Sequence, residues 1–204
     1  MRVFVLTTGR SGSATFARAC HYATNYTSGH ESRTGLTELE KRLDYPDQHI
    51  EADRHLAWML GPLDRRFDAE VHYVHLVRDE RQTALSWARR MPDNESWIRW
   101  LRVESGLMIK RRVRQTFADV IGHKLFGPAR RLSPEEQYVA AVTYVRVVNA
   151  NIEHFLRDKK SVSRIDIGSP KLAFQTFWDS IGATGQLDRS LREFDVLYNA
   201  SLRR

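Results

Sequence analysis

Arg2-Val-Phe-Val-Leu-Thr-Thr-Gly-Arg-Ser-Gly-Ser13 is the stretch on which the fold turns. Residues 2–8 are a short β-branched and aromatic run, the composition of a buried strand. The run enters Gly9-Arg-Ser-Gly-Ser13, after which Phe16, Ala19, Cys20 and Ala23 recur at i, i+3, i+4 and i+7. That spacing is the apolar stripe of a helix. A strand, a glycine-containing loop and a helix gather unpaired backbone N–H groups and a positive helix end at one point, which suits phosphate. Gly9 and Gly12 permit the tight turn and the close approach. Ser11, Ser13 and Thr15 offer hydroxyls, and Arg10 offers a charged fork.

Working outward, further strands are expected at residues 48–52, 71–77 and 161–167. Asp79 and Gln82 have the spacing of a capping box, opening a helix that runs to about residue 90. Ser133-Pro-Glu-Glu136 is a clearer start, with an N-cap Ser, Pro at the first helical position and Glu two residues later. The helix behind it carries Tyr138, Ala141, Val142, Val145, Ile152, Phe155 and Leu156 on one side. A last helix is expected from residue 170 to about 181. Strands alternating with helices imply parallel pairing with helices on both faces. The expected fold is α/β, a three-layer sandwich with a central, mostly parallel sheet, formed by a single domain over residues 1–204.

Composition narrows the function classes. The 204 residues are 42% hydrophobic and 28% charged, the balance of a soluble globular chain. No stretch approaches the ~20 apolar residues of a membrane span, and the apolar run behind Arg2 is too short for a secretory leader. The one cysteine, Cys20, excludes an intramolecular disulfide and a Cys-rich metal site; the cytoplasm is the expected location. The net charge is +7. Residues 99–131 alone carry that charge, as a solvated helix face or a binding surface.

Two downstream segments bear on the loop. Val74-His-Leu-Val-Arg78 ends the strongest strand, and Ser86 follows at a spacing of eight. A guanidinium at a strand end and a hydroxyl in the next helix lie where α/β sheets bind ligands. Arg90, four residues beyond Ser86, shares its helix face. The other segment is Gly29-His-Glu-Ser-Arg33, in a long polar loop, with Glu31 placed 21 residues after Arg10. His72 and His75 flank a buried strand and read as structural.

Thr8-Gly-Arg-Ser-Gly-Ser-Ala-Thr15 resembles the 5′-phosphosulfate loop of sulfotransferases that use 3′-phosphoadenylyl sulfate (PAPS). The Arg78–Ser86 pair resembles that family's 3′-phosphate site, and Gly29–Arg33 a segment of the tyrosine-protein sulfotransferases that supplies a glutamate base. Ser163-Arg-Ile-Asp-Ile167 and 174–182 are similar to the ending of many bacterial members. The resemblance implies a P-loop-NTPase-like sulfotransferase fold and metal-independent transfer of a sulfuryl group to an acceptor hydroxyl. It implies that Gly9, Arg10, Ser11, Gly12, Ser13, Ala14 and Thr15 hold the 5′-phosphate, and that Arg78, Ser86 and Arg90 hold the 3′-phosphate. Glu31 would be the base, with His30 its rival and Arg10 a stabiliser of the leaving oxygen. Ala14 departs from the pattern, standing where many members have a second hydroxyl. The acceptor is expected to be a hydroxyl compound, and the basic block favours an anionic glycan, lipid head group or peptide.

Two alternatives stand beside this. A Mg-dependent P-loop-like kinase would need a strand-end carboxylate, for which Asp79 is the passable candidate. It is disfavoured because G-x-x-x-x-G-K-[ST] is absent and no lysine precedes Lys41. A non-catalytic nucleic-acid module could use residues 99–131 with Trp97, Trp100 and Phe117, but no recognised nucleic-acid signature accompanies them.

Overall fold

The computed structural model describes residues 1–67, 71–89 and 133–196. In chain order the elements are β1 (Arg2–Leu6), α1 (Ser13–Cys20), β2 (Thr27–His30), α2 (Leu39–Arg42), β3 (His49–Ala52) and a 3-10 turn (Arg54–Trp58). There follow α3 (Leu60–Arg66), β4 (Val71–Val77), α4 (Glu80–Ala88), α5 (Pro134–Leu156), β5 (Val162–Asp166), α6 (Pro170–Ser180) and α7 (Leu187–Glu193). The chain divides into two compact units, Met1–Asp79 with Val147–Arg204, and Glu80–Arg146.

The first unit is a three-layer α/β structure. Its five strands pair in the order β2-β3-β1-β4-β5, and every pair is parallel. The reason is visible in the strands. β1 and β4 are buried along almost their whole length, as strands covered on both faces are. Val3, Val5, Ile50, Ala52, Val74 and Leu76 point to one side, where Phe16 of α1 meets Phe174 and Phe177 of α6. Both ring pairs have centroids 5.4 Å apart. On the other side Phe4 packs against Tyr45, Phe67 and Tyr73, and Tyr73 meets Phe155 of α5 edge-on.

The strand order reverses between β1 and β4. From β1 the chain crosses to β2 at one edge; from β4 it proceeds to β5 at the other. Ligand crevices of open α/β sheets lie at such a point, outside the carboxyl ends of the strands. Both edge strands are polar, with little of either buried, which discourages pairing with another sheet.

The sequence expectation missed β2. Thr27-Ser-Gly-His30 has no aliphatic residue and lies in a stretch whose sequence reads as a polar loop; its backbone pairs with β3 in register Thr27↔His49 through His30↔Ala52. In the second unit, Ser133 and Glu136 form the expected reciprocal cap. The Ser133 amide donates to Glu136 Oε2 at 2.8 Å, and the Glu136 amide donates to Ser133 Oγ at 3.2 Å. Arg146 grips Glu80 with two bonds, at 2.9 and 2.8 Å.

Candidate functional site

The loop after β1 is shaped by three left-handed residues, Gly9 (φ 74°), Arg10 (φ 60°) and Gly12 (φ 84°). Thr7 and Ser11, both wholly buried, share a hydrogen bond between their hydroxyls, and the Gly9 amide donates to Thr7 Oγ1 at 3.3 Å. Ser11 is therefore turned inward, closing the loop on itself. Gly12 caps α1 without a side chain, so the amides of Ser13, Ala14 and Thr15 have no acceptor within the helix. A Cβ on Gly12 would lie 2.5 Å from Ile167 Cγ1. Glycine is required there twice over, by φ and by the close approach of the residue that follows β5.

Arg78 follows the last residue of β4. Its Nη1 donates to the backbone carbonyl of Arg10 at 3.2 Å, which joins the loop to the neighbouring strand end. Ile167 is held beside it by its amide, which donates to Val77 O at 2.9 Å. Ser86 lies two turns into α4, half-buried, in the second unit. Arg90, the whole basic block 99–131 and its aromatic residues lie outside the described residues.

The ends of β2 and β3 supply the other wall. His30 closes β2, and its Nε2 is 3.0 Å from Ser13 Oγ at the start of α1, so two sequence candidates meet. Glu31 follows with φ 51°, left-handed for a residue with a side chain, and forms an ion pair with Arg54. Beyond β3, Asp53 is fully buried. It accepts from the His55 amide at 2.8 Å and from His55 Nδ1 and Arg42 Nη2, both at 2.7 Å. Burial pushes the Asp53 carboxyl up, but His55 and Arg42 outweigh it and hold the group below its ordinary value.

Sequence spacing offered no His/Asp/Glu ligand cluster, yet the fold builds one. Donor atoms of Glu31, Asp53 and His55 lie within 4.8 Å of one another. Two arginines occupy the same place, Arg54 on Glu31 and Arg42 on Asp53. The carboxylate charges are thus already balanced by guanidinium groups, which suits a cation poorly. Asp79, the strand-end carboxylate picked out for the kinase alternative, is exposed after β4; Asp53 has the better position, beside β1. The signal available in the sequence was a run of polar residues, Asp53-Arg54-His55, directly after a strand.

His72 and His75 are structural. The His72 ring nitrogens lie 2.8 Å from Ser161 Oγ and 2.9 Å from Ser163 Oγ, and His75 Nε2 lies 3.1 Å from Asn149 Oδ1. Among the described residues no helix is long and apolar enough to cross a membrane. The chain matches no protein-family model, and no curated protein or solved structure is significantly similar to it.

Proposed function

We propose that the chain is a sulfotransferase that moves a sulfuryl group from PAPS to an acceptor hydroxyl without a metal. The observation that carries this reading is the bond from Arg78 to the Arg10 carbonyl. It draws an anion-binding loop and a strand-end arginine into the crevice between β1 and β4, two cationic groups suited to two separate phosphates. The loop fits a phosphate through its uncapped helix start and its left-handed glycines. Its charged side chain is Arg10, and it has no lysine of the G-x-x-x-x-G-K-[ST] kind.

PAPS supplies the activated sulfuryl group; the protein's work is positioning and charge stabilisation. Arg10 and the first amides of α1 hold the 5′-phosphate and offset charge on the leaving oxygen. Ser13 and Thr15 line the same loop, while Ser11 supports it from within. Arg78 holds the 3′-phosphate, the role that the sequence resemblance gives it together with Ser86 and Arg90. Glu31 accepts the proton of the attacking hydroxyl, with Arg54 fixing its carboxylate. His30, bonded to the loop through Ser13, is the rival base. The positive block at 99–131 favours an anionic acceptor such as a glycan, lipid head group or peptide.

A second reading, a Mg-dependent kinase, draws on the Glu31, Asp53 and His55 cluster. It ranks lower because Arg42 and Arg54 already balance those carboxylates and because the loop has no lysine. Nucleotide selectivity separates the two: binding of adenosine 3′,5′-bisphosphate without Mg²⁺ supports transfer of sulfate, and Mg-dependent binding of ATP supports the kinase.

A further inference from the structure

Glu51 is a fully buried carboxylate on β3, one strand in from the β2 edge of the sheet, and none of the roles above uses it. A buried charge is costly unless several donors satisfy it, and here three do. Oε1 accepts from the Ser32 amide at 2.8 Å. Oε2 accepts from Ser32 Oγ at 2.6 Å and from His49 Nε2 at 3.0 Å. His49 Nδ1 is in turn 2.8 Å from Thr27 Oγ1, and Tyr45 stacks on the His49 ring at 5.6 Å. The chain of bonds runs from the start of β2, through β3, to Ser32, the second residue beyond the end of β2.

We propose that Glu51 is a positioning residue, whose carboxylate clamps Ser32 and thereby fixes the turn that presents His30 and Glu31 to the loop. The catalytic part of this proposal rests on the sulfotransferase reading. Three features converge on it. Parallel pairing ends with the Glu31 amide, which donates to Ala52 O at 3.1 Å; the next amide, Ser32, has the Glu51 carboxylate as its acceptor. Glu31 between them is held at φ 51°, a conformation that is unfavourable for a side-chain-bearing residue and persists only where its surroundings impose it. Gly29 makes the clamp possible, because a Cβ there would lie 2.4 Å from Glu51 Oε2 and 3.1 Å from Ser32. The segment Gly29-His-Glu-Ser32 thus has a glycine to admit the carboxylate and a serine to bind it twice, with both candidate bases between them.

The test joins amide hydrogen exchange, which needs no activity, to kinetics. In Glu51→Gln the amides of Glu31 and Ser32 should exchange about ten-fold faster relative to wild type, while those of β1 and β4 keep their protection. Sulfate transfer should lose about 10²-fold in kcat, the scale of a small misplacement. Acceptor KM and affinity for adenosine 3′,5′-bisphosphate should stay within about three-fold. If Glu51→Gln does not fold, Ser32→Ala removes one bond at an exposed residue and should move both readouts the same way by less. Unchanged protection at Glu31 and Ser32, or an equal loss throughout the sheet, would overturn the positioning role. A wild type that transfers no sulfate would sink the sulfotransferase reading instead, and the exchange data alone would then decide whether Glu51 holds the turn.

Discussion

Arg78 Nη1 lies 3.2 Å from the backbone oxygen of Arg10, although 68 residues separate them in sequence. The bond crosses the point where the strand order reverses, and it ties the conformation of the loop to the end of the neighbouring strand β4.

If Arg78 reads a 3′-phosphate, its removal should be felt only by ligands that have one. Arg78→Ala is expected to weaken adenosine 3′,5′-bisphosphate by about 10–100-fold, the value of a charge-assisted bond, and AMP by much less. Equal losses for both ligands in titration calorimetry would assign Arg78 to loop support instead.

The two candidate bases have different partners, Arg54 for Glu31 and Ser13 for His30. Glu31→Gln should keep nucleotide affinity and lose about 10²–10⁴-fold in kcat. Full turnover in Glu31→Gln with loss in His30→Ala would move the role to His30.

Gly12 and Gly182 both have positive φ, 84° and 63°, but only Gly12 is crowded, by Ile167. Gly182→Ala should cost about 1 kcal/mol from backbone strain alone. Gly12→Ala should cost about 2–4 kcal/mol, since overpacking adds to that strain, and should abolish nucleotide binding. Urea unfolding measures both; equal costs would mean that the contact with Ile167 relaxes freely.

Burial pushes the His72 imidazole from 6.5 down to about 4, and burial lowers His75 as well. Below about pH 6.5 the unfolded chain binds a proton that the folded chain refuses. Stability is thus fully present above that pH, falls as pH drops toward 4, and levels off beneath it. Allowing for partial solvation, His72 contributes about 2 kcal/mol to that fall. His72→Gln should reduce the slope of unfolding free energy against pH by up to one proton across the window; an unchanged slope would contradict the burial effect.

What the sequence revealed followed local periodicity. Residues 2–8 are branched and aromatic, Phe16 to Ala23 keep a helical stripe, and Arg78 closes an apolar run, so the central strands, the loop and the strand-end arginine were legible. β2 was not, because Thr27-Ser-Gly-His30 is held by backbone bonds and a buried Glu51 rather than by apolar side chains. Arg42 and Asp53, or Glu31 and Arg54, are pairs of polar residues 11 and 23 positions apart. No periodicity marks such pairs; only the parallel alignment of β2, β3 and β1 brings them together.

The central claim, that the crevice reads a nucleotide with two separate phosphates, is tested most directly by titration calorimetry with two ligands, each with and without Mg²⁺. Adenosine 3′,5′-bisphosphate is expected to bind equally well in both conditions and at least ten-fold more tightly than ATP, since ATP leaves Arg78 without its phosphate. Tighter binding of ATP that requires Mg²⁺ would contradict the account and point to the Glu31, Asp53 and His55 cluster instead.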